Sequence, residues 1–174
     1  MKKIILYITA SLDGRIAEPD GGLEWLTGFP KDCSYKNLLA SIDTIIMGGR
    51  TYREFLNMDV TWSYLEKATY VVTRGWTEKA SDENIQFITD NVIETISALR
   101  NEPGKDIWLV GGGKLVSMLL EADLIDEMQI CYIPKILGRG IPLFPEQSKE
   151  STWELTDSTI YKSNTLLVKY RMMN

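Results

Sequence analysis

Three short segments carry residue types able to hold a phosphate: Gly48-Gly49-Arg50-Thr51, Thr73-Arg74 and Gly111-Gly112-Gly113-Lys114-Leu115. Glycine lets the backbone come close to a ligand that a side chain would keep away. Arginine adds charge-assisted donors for an anion. A threonine hydroxyl can cap a helix, and Thr51 stands where a cap is expected. Each segment ends an apolar run (44–47, 68–72, 107–110), and the first and third open stretches with helical spacing. Free N–H groups and the positive end of a helix dipole would then face a bound anion. Arg50 or Arg74 alone reads as a solvated surface residue. As a set, the three segments point to a phosphate-bearing nucleotide. Neither Gly-x-Gly-x-x-Gly nor Gly-x-x-x-x-Gly-Lys-Ser/Thr occurs, so the standard dinucleotide fingerprint and the P-loop are excluded.

The other chemistry-bearing residues are few. The chain contains no histidine, which removes a Ser-His-Asp triad, a histidine base and histidine-containing metal sites; no metal is expected. Asp13, in Leu12-Asp13-Gly14, reads either as a turn-closing carboxylate bonded to backbone N–H groups or as a substrate contact. Trp25 reads as a mobile apolar lid over a ligand or as ordinary packing. Glu127 reads as a polar residue entering a strand or as a substrate contact. Cys33 and Cys131 are far apart with no Cys-x-x-Cys spacing, which suggests reduced thiols.

The bulk composition fits one domain with a full core: 174 residues, 44% apolar, net charge −5. The charge argues against nucleic acid as the main partner. No apolar run approaches the roughly 20 residues that span a bilayer. Lys2-Lys3 precedes an apolar stretch, but Thr9, Ser11, Asp13 and Arg15 interrupt it, so it reads as a first strand and not a signal peptide. The expectation is a cytoplasmic protein, with no membrane partner.

Alternating strands and helices must position these residues. Strands are expected at 2–9, 44–47, 68–73, 85–88 and 107–110, with helices at 30–40, from 51, at 91–100 and at 114–121. Alternation of this kind implies a largely parallel sheet with helices on both faces, in the α/β class. The strand ends bearing glycine and arginine would meet at the sheet's carboxyl edge. Strands at 128–133, 153–161 and 165–172 have no helices between them and should add antiparallel edges, with Lys162-Ser163-Asn164 as a hairpin turn. Residues 10–28 read as a long functional loop.

Several segments then resemble a known superfamily. Ile45-Ile46-Met47-Gly48-Gly49-Arg50-Thr51-Tyr52 is similar to the Met-Gly-Arg-x-Thr-Trp/Tyr segment of dihydrofolate reductases, and Val110-Gly111-Gly112-Gly113 to their cofactor-binding glycine pair. Ala10 to Ala17 (Ala-Ser-Leu-Asp-Gly-Arg-Ile-Ala), Glu24-Trp25-Leu26-Thr27, Leu124-Ile125-Asp126-Glu127 and Pro134 to Phe144 resemble the reductase domain of bacterial riboflavin biosynthesis proteins. The resemblance spans the whole chain and implies a single-domain dihydrofolate reductase-like fold and an NADPH-dependent reductase.

It implies roles residue by residue. Gly48, Gly49, Arg50 and Thr51 would hold NADPH phosphates, with Arg50 near the 2′-phosphate. Thr73 and Arg74 would flank the adenosine. Val110, Gly111 and Gly112 would sit against the cofactor, with a cis peptide joining the two glycines. Gly113, Lys114 and Leu115 would open a helix at the pyrophosphate. Thr9, Ile16 and Ala17 would lie near the nicotinamide. Asp32 falls where dihydrofolate reductases keep their pterin-binding carboxylate, which makes it a candidate substrate ligand and proton source, or a plain helix-start acid. The small-molecule substrate would be a ribosylaminopyrimidine, as in 5-amino-6-(5-phosphoribosylamino)uracil reductase. A dihydrofolate or pterin substrate and a non-catalytic NADPH-binding protein are the alternatives. The zinc deaminase signature that often accompanies the riboflavin-type reductase is absent from this sequence. A homodimer through the late strands is expected by the same resemblance.

Overall fold

A computed structural model describes residues 1–29, 35–57, 66–75, 83–146 and 149–173. Among these residues are ten strands and four helices: β1 (Ile4–Ser11), β2 (Arg15–Ala17), α1 (Tyr35–Ser41), β3 (Ile42–Gly48), α2 (Gly49–Asn57), β4 (Ala68–Val72), β5 (Ile85–Ile88), α3 (Val92–Asn101), β6 (Asp106–Gly111), α4 (Gly113–Glu121), β7 (Glu127–Ile133), β8 (Ile141–Pro142), β9 (Trp153–Ile160) and β10 (Leu166–Met172). Eight strands form one sheet in the order β5-β4-β3-β6-β1-β7-β10-β9. Neighbours from β5 to β7 pair in parallel, and β10 pairs antiparallel to both β7 and β9.

The central strands are apolar on both sides because both faces are covered. In β1, Ile4 and Leu6 join one core cluster while Ile5 and Tyr7 join the other. The first cluster takes Ile96 and Leu99 of α3 and Leu115, Val116, Leu119 and Leu120 of α4. The second takes Leu38 of α1 and Tyr52 of α2. Trp108, on β6, packs edge-on against Tyr7 and donates its indole N–H to the Tyr7 carbonyl at 3.1 Å.

The mostly parallel sheet, the helices on both faces and the antiparallel late strands agree with the sequence reading. The differences are local. β1 continues to Ser11, and β2 and a helical turn at Glu24–Leu26 break up the long loop. β2 is legible only through its partner β8, which lies far along the chain. α2 begins at Gly49, directly after β3, so Thr51 sits inside the first turn and does not cap it. Cys131 is disulfide-bonded, against the reduced thiol that its spacing suggests. Linear spacing carries no information on which strands a fold brings together. Cys33 lies outside the described residues.

Candidate functional site

The sheet order sets β4, β3 and β6 side by side, all parallel, so their carboxyl ends share one edge. Gly48 pairs with Val72 in β4, and Met47 pairs with Gly111 in β6. The glycines at these ends stand close together. A Cβ on Gly48 would lie 3.6 Å from the Gly111 carbonyl oxygen, and one on Gly112 would lie 3.8 Å from Thr51 Oγ1. A Cβ on Gly49 would come within 2.9 Å of Thr73 Oγ1, closer than real side chains tolerate. The three segments singled out in the sequence therefore converge, and they converge through bare backbone.

Gly111 has φ +115, a conformation that a side chain would strain, and Ile8 of β1 reaches to within 3.0 Å of where its Cβ would stand. The Gly111–Gly112 peptide bond is cis. Gly112 precedes α4 in an extended conformation, and no side chain caps the helix. The N–H groups of Leu115 and Val116 both turn back to the Gly112 carbonyl at 3.0 Å. Leu115 itself is buried in the core, so its side chain serves packing. Neither α2 nor α4 has an acidic residue in its first turn, so no carboxylate of either first turn competes with an incoming anion.

Arg50, Arg74 and Lys114 are exposed around this edge. The 18–22 turn folds onto the Arg50 stem: a Cβ on Gly21 would stand 3.2 Å from Arg50 Cδ. That neighbour has no signature in the linear sequence beyond its glycines. Thr9, half-buried, pairs with Cys131 across β1 and β7, and Ile16 and Ala17 are buried on β2. Val110 is half-buried and packs against the second core cluster.

The remaining candidates make other contacts. Trp25 is 2% exposed within the second core cluster, the packing arrangement, and its indole N–H has no acceptor among the described residues. Asp13 accepts hydrogen bonds from Ser11 Oγ at 2.6 Å and from the backbone N–H groups of Leu137 at 3.1 Å and Gly138 at 2.8 Å. The Ser11 hydroxyl first, and then the Leu137 N–H, hold its carboxyl down to about 2. Asp32 lies outside the described residues. Glu127 pairs with Lys3 at 2.8 Å. No group of residues with metal-ligand character occurs among the described residues, and no helix there is long and apolar enough to cross a membrane.

The arrangement is a glycine-lined edge flanked by the starts of α2 and α4 and by two arginines, on a sheet of the dihydrofolate reductase type. The dihydrofolate reductase of Enterococcus faecalis, solved with NADP(H) and RAB-propyl, superposes with a TM-score of 0.73 at 18% identity, covering 99% of this chain and 97% of that one. Residues 56–167 match the RibD C-terminal domain family, and the chain belongs to that family. A putative riboflavin biosynthesis protein from Shewanella sp. PV-4 superposes with a TM-score of 0.86 at 28% identity over 99% of both chains. The uncharacterized protein YwjB of Bacillus subtilis is 38% identical over 156 residues, 88% of this chain and 89% of that protein. The fold and the riboflavin-biosynthesis reductase family expected from the sequence are thus both found.

Proposed function

We propose that this protein is an NADPH-dependent reductase of a small heterocyclic substrate, acting on a ribosylaminopyrimidine as the riboflavin-type resemblance implies. The observation that supports the reading is the meeting of Gly48, Gly49 and Gly111–Gly113 beside Thr51 and Thr73, where the glycines let three strand ends close up and set the starts of α2 and α4 side by side at one sheet edge. NADPH supplies, when bound, a hydride for an electrophilic carbon of the substrate.

The chain's own residues bind and orient. Backbone N–H groups at the starts of α2 and α4 meet phosphates, favoured by the helix dipoles. The guanidinium of Arg50 takes the 2′-phosphate, with Thr73 and Arg74 at the adenosine. Lys114 adds charge at the pyrophosphate. Thr9, Ile16 and Ala17 form an apolar wall for the nicotinamide that excludes water. A proton must accompany the hydride, and Asp32 or water provides it. The reading includes a homodimer through the late strands, which the exposed Leu155, Ile160 and Leu166 support.

Five tryptophans make binding visible by intrinsic fluorescence. NADPH should change the emission saturably, and NADH should bind more weakly. Arg50→Ala should weaken NADPH by about tenfold, the value of one exposed charge-assisted hydrogen bond, and leave NADH unchanged. No response to either nucleotide would sink the cofactor assignment, and equal affinities would remove the role of Arg50. Loss of nicotinamide absorbance with a dihydropteridine but not with a ribosylaminopyrimidine would transfer the substrate assignment to pterins. Binding with no turnover of either would leave a non-catalytic NADPH-binding protein.

A further inference from the structure

The ribbon of β2 and β8 connects two parts of the proposed cofactor site. On β2 it carries Ile16 and Ala17, the nicotinamide wall, with Ala17 paired to Ile141 and Arg15 to Pro142. On β8 it reaches the start of α4: a Cβ on Gly113 would stand 2.6 Å from the Pro142 carbonyl oxygen. Leu143 N–H donates to the Gly14 carbonyl at 2.9 Å and closes the ribbon's other side. Gly140, at φ +134, lays its backbone against the Ala17 carbonyl with no space for a side chain.

This ribbon has little to hold it. It contains three residues of one strand and two of the other, too short to be stable by pairing alone. Asp13 supplies the fastening. Its two carboxylate oxygens take the N–H groups of Leu137 and Gly138, 124 and 125 residues away in sequence. The Ser11 hydroxyl that donates to Asp13 also accepts the Arg15 N–H at 2.9 Å, which ties the fastening to the first residue of β2. Leu12 N–H donates to the Lys135 carbonyl at 2.8 Å. Arg15 adds a long contact from Nη1 to the Gly140 carbonyl at 3.4 Å.

We propose that Asp13 is a positioning residue for the cofactor: by fixing residues 137–140 it sets the Ile16–Ala17 wall against the start of α4, without touching cofactor or substrate. The proposal rests on the NADPH reading. A carboxylate suits the task because it accepts from two backbone N–H groups at once, and charge strengthens both bonds. Asparagine in its place turns one acceptor into a donor facing an N–H group.

The test compares two ligands of the same site. NADPH spans the wall, the pyrophosphate turn and the adenosine end; 2′,5′-ADP occupies the adenosine end alone. In Asp13→Asn and Asp13→Ala, the Kd for NADPH should rise about tenfold, the equivalent of one lost charge-assisted hydrogen bond, while that for 2′,5′-ADP stays within twofold. General destabilisation would weaken both ligands in parallel, and that result would overturn the proposal. So would unchanged NADPH affinity in the variants. Hydrogen exchange offers a readout free of ligand: amides at 15–17 and 137–143 should exchange faster in the variants than those of β6, and unchanged protection there would also overturn it. If the unaltered protein binds neither ligand, the cofactor reading falls and the role of Asp13 with it. If the unaltered protein binds NADPH and the variants bind it equally well, only the role of Asp13 falls.

Discussion

At the residue scale, Asp13 shows how one carboxylate serves two loops. Its position before Gly14 marks a turn, but its carboxylate also takes the backbone N–H groups of Leu137 and Gly138, far along the chain. These bonds hold the carboxyl at about 2 in the folded protein, against an ordinary 3.8. A carboxyl whose folded value is depressed adds stability that is complete above its unfolded value and is lost as pH falls through the folded one. The stabilisation by Asp13 should therefore be fully present above about pH 4 and vanish between pH 4 and pH 2. Thermal midpoints measured from pH 6 to pH 2 should show Asp13→Asn below the unaltered protein at pH 6 and the two converging at pH 2. Parallel curves would contradict this. Arg50 and Trp25 show the opposite relation to the sequence: Arg50 is exposed, as its residue type suggests, whereas Trp25 buries a donor that has no acceptor among the described residues.

At the element scale, the candidate site lies where two helices start directly behind strand ends. α2 follows β3 with no intervening residue, and α4 follows β6 after Gly112 alone. Short strand–helix joins leave the first-turn N–H groups to a ligand. They also leave no room. Gly113→Ala would drive a Cβ into the Pro142 carbonyl, which is backbone and cannot swing away. The expected cost is about 1–3 kcal/mol of stability by overpacking, together with weaker NADPH binding as β8 is pushed off α4. Gly75→Ala is the control, since nothing lies within 4 Å of its Cβ position. Urea titration of both variants checks the contrast, and equal stabilities would refute it.

At the scale of the whole molecule, eight strands in one sheet make two cores, one on each face, and the carboxyl edge between them carries the candidate site. β1 and β6 are buried on both sides and hold the edge in place. Leu109, fully buried on β6 two residues before Gly111, belongs to that support. Leu109→Ala should cost about 2–5 kcal/mol by opening a cavity. Leu56→Ala, exposed on α2, should change stability by under about 0.5 kcal/mol. Denaturant unfolding of the two variants measures the difference, and a similar loss in both would argue against the central strands as the chief support.

The long central strands, their parallel character, the two turns that bring glycine to the sheet edge, and the family were legible in the linear chain. Those features follow from local chemistry: β-branched apolar runs, glycine at strand ends and helical spacing are readable in short windows. Only the tertiary structure decided that Gly48, Gly112, Thr51 and Thr73 meet, that β2 exists at all, that Cys131 is oxidised, and that Asp13 reaches across the chain to residues 137–138. Each of these depends on contacts between segments far apart in sequence. Pairing of that kind is fixed by sheet order and register, and no short window of sequence contains either.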